Sequence, residues 1–183
     1  KPILPTLALP EARFAVALIP STASAQGLEQ VEMQFTQHQR LPLRPLAKVA
    51  SGGELARVGL ALAVVSSQAN QTPSLIFDEV DTGMGGRVAT TVGQLLRQLA
   101  QQHQVLCVTH LPQVAACAHQ QWQVQKTTTA EGVCSEVLLL NKEAERLEEL
   151  ARMLGGSSQT ARQHASEMLA QGQETLANPA NSH

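Results

Sequence analysis

Two short segments constrain this chain more than anything else in it. Ser74-Leu75-Ile76-Phe77-Asp78 and Val105-Leu106-Cys107-Val108-Thr109 are apolar almost without interruption. They are too short for buried helices and lack the alternation of a half-exposed strand. They read as strands covered on both faces, as strands of a parallel sheet are. Between them, Val88, Val92, Leu95, Leu96 and Leu99 recur at helical spacing, predicting a helix over Val88 to Gln101. Strand, helix, strand argues for an α/β architecture with a parallel centre. In such sheets ligands sit beyond the carboxyl ends of the strands. Both segments run out in chemically capable residues there, Asp78-Glu79 and Thr109-His110.

The remainder supports the same class. Arg13 to Ile19 and Val31 to Thr36 read as strands able to pair as a hairpin, with Pro20 to Gly27 as the turn region. Leu55 to Val65 is too long and apolar for a strand and predicts a buried helix from Gly53 to about Gln68. A short helix is expected from Pro112 to Ala118, then strands at Trp122 to Thr127 and Val133 to Leu140. Asn141 is expected to cap a helix that Gly155-Gly156 ends, and a last helix runs near Thr160 to Ala170. With 183 residues, one lobe over 13–172 is expected, after a leader or cut linker (1–12) and before a flexible tail (173–183).

Composition excludes several classes. Lys+Arg 13 against Asp+Glu 15 gives a net charge of -2, which excludes a strongly basic nucleic-acid binder. Arg40, Arg44, Lys48 and Arg57 are loosely clustered; they read as a solvated surface or as contacts to DNA phosphates. Cys107, Cys117 and Cys134 are well separated, with no C-x-x-C pair, so neither a zinc site nor a disulfide framework is expected. Reduced thiols point to the cytoplasm. No apolar run approaches the length of a membrane span.

Three motifs carry chemistry. Ser51-Gly52-Gly53-Glu54 opens the predicted buried helix. S-x-x-E is a capping box in its own right. Two glycines, however, bare the helix N-terminus, and its free N–H groups and positive dipole end suit a phosphate. Leu75 to Glu79 is an apolar strand delivering paired carboxylates, as in a Walker B motif. Asp78 would hold Mg²⁺ through a water. Glu79 would orient and deprotonate an attacking water. Asp81 adds a third carboxylate, and such crowding is costly without a cation. His110 could hydrogen-bond a γ-phosphate or the attacking water if the two strands are neighbours. Asp81-Thr82-Gly83 is also the aspartic-protease tripeptide, but that all-β fold needs two such loops and the chain has one.

Together and in this order, the motifs resemble the C-terminal half of an ABC-type ATPase head of the SMC class. Ser51-Gly52-Gly53-Glu54 resembles the signature motif, Leu75 to Glu79 Walker B, Asp81 the D-loop, and His110 the switch histidine. The resemblance covers residues 13 to about 170. It implies an ATPase acting in DNA double-strand break repair and recombination, using ATP and Mg²⁺. Glu79 and His110 would be catalytic and Asp78 the metal ligand. Ser51, Gly52 and Gly53 would contact ATP on a second head of a homodimer, and Glu54 and Asp81 would also be cofactor-binding. DNA would be a partner of the full protein, and the location would be cytoplasmic and nucleoid-associated. The chain carries no G-x-x-x-x-G-K-[ST], so the phosphate cradle would come from an N-terminal P-loop lobe of the same protein. Two alternatives stand beside this: a non-catalytic head-pairing or DNA-interaction module from a truncated chain, and another ABC-family ATPase.

Overall fold

The computed structural model describes residues 4–7, 9–49, 52–66, 72–78, 80–129, 132–156 and 158–174. Ser51, Glu79 and the expected tail beyond residue 174 lie outside these. The elements run β1 (Arg13–Ser24), β2 (Gly27–Thr36), β3 (Arg44–Pro45), α1 (Leu46–Val49), α2 (Gly52–Ser66), β4 (Ser74–Phe77), α3 (Gly86–Leu99), β5 (Gln104–Cys107), α4 (Pro112–Ala116), β6 (Gln121–Thr129), β7 (Gly132–Leu140), α5 (Glu143–Met153) and α6 (Gln159–Glu174).

The α/β class holds. β4 and β5 pair in parallel, Ser74 opposite Gln104 through Phe77 opposite Cys107. The Val108 N–H extends the ladder by donating to the Phe77 carbonyl at 2.9 Å. α3 makes the crossover and buries Val92, Leu96 and Leu99, with Leu60, Ala61 and Val80 in the same core. Each fully buried aliphatic side chain of this kind contributes roughly 1.5–3 kcal/mol. A second core joins Ala115 and Ala116 of α4 to Leu150 of α5 and Ala165 and Leu169 of α6.

Three local outcomes differ from the expectations above. Within the expected leader or cut linker, Leu7 is fully buried in the α3 core, and Leu9 packs with Phe35 and Val58. Pro5 lies within a single turn of 3-10 helix (Leu4–Leu7), and the prolines do not keep these leucines in water. The hairpin strands run on to Ser24 and Gly27, so the turn is shorter than the small polar residues suggest. The ladder absorbs Pro20 with a register shift before Ser24. The N-cap of α5 is Lys142, not Asn141; its backbone N–H donates to the Glu145 carboxylate at 3.1 Å. The other end follows the glycine signal. Gly155 adopts φ +103, and the Gly155 and Gly156 N–H groups close back on the Arg152 and Ala151 carbonyls.

The sheet faces differ from expectation too: β4 and β5, expected to be covered on both faces, each leave one face exposed. Ile76, Leu106 and Val108 are exposed on β4–β5, Val16, Leu18, Val31 and Met33 on β1–β2, and Trp122, Val124, Val137 and Leu139 on β6–β7. The registers place Val16 opposite Met33 and Leu18 opposite Val31, so that face continues outward from buried Phe35. Trp122 faces Leu139 and Val124 faces Val137 in the same way. Contiguous apolar surface of this kind marks an interaction site.

Candidate functional site

The parallel pairing brings the two capable strand ends side by side. Asp78 follows β4 directly and is exposed. Asp81 turns inward and is only 1% exposed. Its Oδ2 accepts a hydrogen bond from the Thr109 hydroxyl and another, at 3.2 Å, from the His110 backbone N–H. The His110 Nδ1 stands 3.5 Å from the same oxygen, and the imidazole itself is 71% exposed. The Thr109 hydroxyl also accepts the Leu111 N–H at 3.0 Å, which folds the β5–α4 connection around Asp81. Asp81 Oδ1 is buried and has no hydrogen-bond partner among the described residues.

Electrostatics mark the same corner as negative. The Cys107 thiol beneath it is pushed up to about 12, first by burial and then by the charges of Asp81 and Asp78. No group of three or more metal-ligating side chains occurs among the described residues. Asp78, exposed at a strand end that is already negative, fits a divalent cation held by one protein carboxylate and by substrate phosphates, the usual arrangement for Mg²⁺.

The glycine end of α2 approaches this corner from the other side. Gly53 is buried, and a Cβ placed on it would come within 2.5 Å of the Thr82 carbonyl oxygen. Gly52 is exposed, and a Cβ there would meet nothing within 4 Å. The two glycines therefore differ in kind. Gly53 is needed for packing against the 81–83 loop, and Gly52 leaves the helix start open. Glu54, expected to return to the Ser51 backbone, is engaged by the Gln37 side chain.

Two residues near the site have contacts that the sequence does not announce. Arg57, which reads there as one of several surface bases, reaches back along α2, and its Nη1 lies 3.5 Å from the point a Cβ of residue 53 would occupy. Its position one turn after Gly53 is the available signal. Thr109 reads only as a polar strand end, and nothing in spacing announces a buried aspartate as its acceptor. Arg40, Arg44 and Lys48 are exposed.

No family model matches the chain. Curated relatives match most of it. It is 48% identical over 156 residues to a Vibrio cholerae protein named DNA repair protein RecN, covering 84% of this chain and 28% of that protein. Proteins of the same name from Streptomyces coelicolor (44% over 182 residues, 91% of this chain, 32% of theirs) and Deinococcus radiodurans (45% over 170 residues, 92% and 30%) match likewise. Among solved structures, the Smc head domain of Pyrococcus yayanosii superposes with a TM-score of 0.61 at 18% identity, covering 82% of this chain and 27% of that one. A chain from a study of SMC ATPases gives 0.52 at 18% identity, covering 84% and 89%. These likenesses show the fold of an SMC head lobe. The chain spans about 28–32% of the length of the curated relatives quoted, and as that segment it belongs to the RecN family.

Proposed function

We propose that this chain is the C-terminal half of an SMC-like ATPase head that serves DNA repair. The observation that carries the reading is the convergence of Asp78, Asp81 and His110 at the adjoining ends of parallel β4 and β5, with the glycine start of α2 packed against the same loop. Phosphoryl transfer is mostly positioning and charge stabilisation, and a strand-end carboxylate, an exposed imidazole and a bare helix start supply those parts. Asp78 would hold Mg²⁺ on the nucleotide, Glu79 would activate the water and His110 would face the γ-phosphate. Ser51, Gly52 and Glu54 would meet ATP carried by a second head. Relatives named for DNA repair and a neighbour described by ATP-driven dimerization and DNA-stimulated activation support the ATP, head-pairing and DNA parts of this reading. Among the described residues no helix is long and apolar enough to cross a membrane.

The bare apolar faces support the missing-lobe part. Ile76, Leu106 and Val108 lie on the outer face of the two-stranded parallel sheet that carries the site. A P-loop lobe that added strands and a covering layer would bury them beside the nucleotide.

The test is ATP turnover by this chain alone and mixed with a P-loop lobe. Turnover only in the mixture, lost in Glu79→Gln with ATP binding retained, is the expected result. Unchanged turnover in Glu79→Gln removes Glu79 from its role. Silence in both samples, with the lobes shown to associate, favours a non-catalytic pairing module.

A further inference from the structure

As a loop carboxylate, Asp81 is expected to contact nucleotide. Its geometry suits another task. The side chain is 1% exposed, so it offers no surface to a ligand that docks from solvent. All of its described contacts run to the His110 segment: the Thr109 hydroxyl, the His110 N–H and, at 3.5 Å, the His110 ring nitrogen Nδ1. We infer that Asp81 is a positioning residue for His110, holding the imidazole by its Nδ1 edge so that Nε2 is the nitrogen presented outward. This rests on the reading of His110 as the residue that faces the reacting phosphate.

The physical argument has three parts. A carboxylate is an acceptor only, so the ring nitrogen beside it carries the proton. In a neutral imidazole that leaves the lone pair on Nε2. Nε2 then accepts a hydrogen bond from the attacking water. The proton of that water goes to Glu79, and Nε2 holds the water in line while Nδ1–H stays directed at Asp81. Second, a buried carboxylate without a compensating charge is costly, and Asp81 Oδ1 has no partner among the described residues. An N–H of the ring directed at Oδ2 offsets part of that cost. Third, the anchor is buried while the ring is exposed. Asp81 is held by the Thr109 hydroxyl and the backbone of residue 110, and the exposed ring can rotate from 3.5 Å to hydrogen-bonding distance without disturbing either.

The experiment has one arm independent of ATP turnover. Nitrogen-15 spectra of histidine-labelled chain, recorded well above the ordinary histidine pKa of about 6.5, report which ring nitrogen of His110 bears the proton. The expected result is the Nδ1–H form in the native chain and a return to the Nε2–H form, which free histidine prefers, in Asp81→Asn. The Nε2–H form in the native chain overturns the inference, whether or not Asp81→Asn folds. Thr109→Val, which removes an anchor and keeps the charge, is expected to retain the Nδ1–H form. In the head assembled with a P-loop lobe, Asp81→Asn is expected to lower kcat on the order of 10- to 100-fold, the usual loss when a carboxylate that orients a functional imidazole is removed, with KM for ATP changed less than about twofold. In a His110→Gln background the same substitution is expected to cost little more, because the two act as one unit. A raised KM at unchanged kcat, or fully additive losses, would show Asp81 binding nucleotide or serving the fold alone. No ATP turnover by the assembled head with the Nδ1–H form present would instead sink the ATPase reading and leave the Asp81–His110 pair standing.

Discussion

Gly53 and Thr82 touch backbone to backbone: a Cβ on Gly53 would lie 2.5 Å from the Thr82 carbonyl oxygen. The start of α2 and the loop after β4 are therefore one mechanical unit. Thr82 follows Asp81, and Asp81 holds the His110 segment. A displacement at the glycine end of α2 reaches the strand ends through a single packed contact.

Replacing Gly53 by Ala forces that contact apart, because the neighbour is backbone and not a side chain that can swing away. We expect a stability loss of about 1–3 kcal/mol, typical of overpacking. Gly52→Ala meets open space and is expected to change stability by less than about 0.5 kcal/mol. Chemical denaturation of the two variants reads the difference. Equal losses would mean that Gly53 does not abut the loop.

The exposed face of β4–β5 gives a complementary expectation. Ile76 is 74% and Val108 64% exposed, so Ile76→Thr with Val108→Thr should leave the isolated chain within about 0.5 kcal/mol of native stability. If a P-loop lobe covers this face, association should weaken roughly 10- to 100-fold, as expected for losing buried aliphatic groups at an interface. Calorimetric titration with that lobe measures it. Unchanged affinity would place the lobe elsewhere.

Much of this is legible in the sequence. The βαβ unit is, because a run such as Leu75-Ile76-Phe77 has no polar face and Val92, Leu96 and Leu99 keep helical period. The adjacency of Asp78 and His110 follows from that topology. What is not legible depends on contacts between distant residues. The burial of Asp81 comes from Thr109, 28 positions away, and no local pattern encodes it. Leu7 reads as leader because its neighbours are prolines, yet the core formed by α2 and α3 has room for it. Gly53 looks like a ligand-facing glycine from its helix position alone, whereas its partner is Thr82.

The thiols test the burial pattern. Cys134 is exposed and Cys107 half-buried, with its thiol pushed up to about 12. At pH 8 a thiol of that pKa is thiolate in roughly one molecule in ten thousand, and the thiolate is the reactive form. Burial raises the Cys117 thiol as well, with Arg97 opposing. Iodoacetamide labelling mapped by mass spectrometry should mark Cys134 first and the other two far more slowly. Asp78→Asn removes one of the two charges acting on Cys107 and should quicken its labelling. Labelling of native Cys107 as fast as Cys134 would contradict the site electrostatics.

His119 gives the pH dependence. Its imidazole sits just past α4, where two guanidinium groups hold the carbonyls that follow the helix: Arg97 donates to the Cys117 carbonyl at 2.6 Å and Arg146 to the Ala118 carbonyl at 2.9 Å. Partial desolvation first, then Arg97 and Arg146, lower the His119 pKa from its ordinary 6.5. The unfolded chain therefore binds this proton more readily than the native one, and stability rises with pH where their protonation differs. The contribution is present above pH 6.5 and is lost as pH falls through that value toward the lower folded pKa. Melting temperature should drop between about pH 7.5 and 5.5, and His119→Asn should flatten the drop. Because the imidazole is exposed, the effect is small. Added salt at about pH 5.5 should recover part of it by screening the arginines, but not all, since the largest cause is desolvation. An identical pH slope in His119→Asn would assign the dependence to other groups.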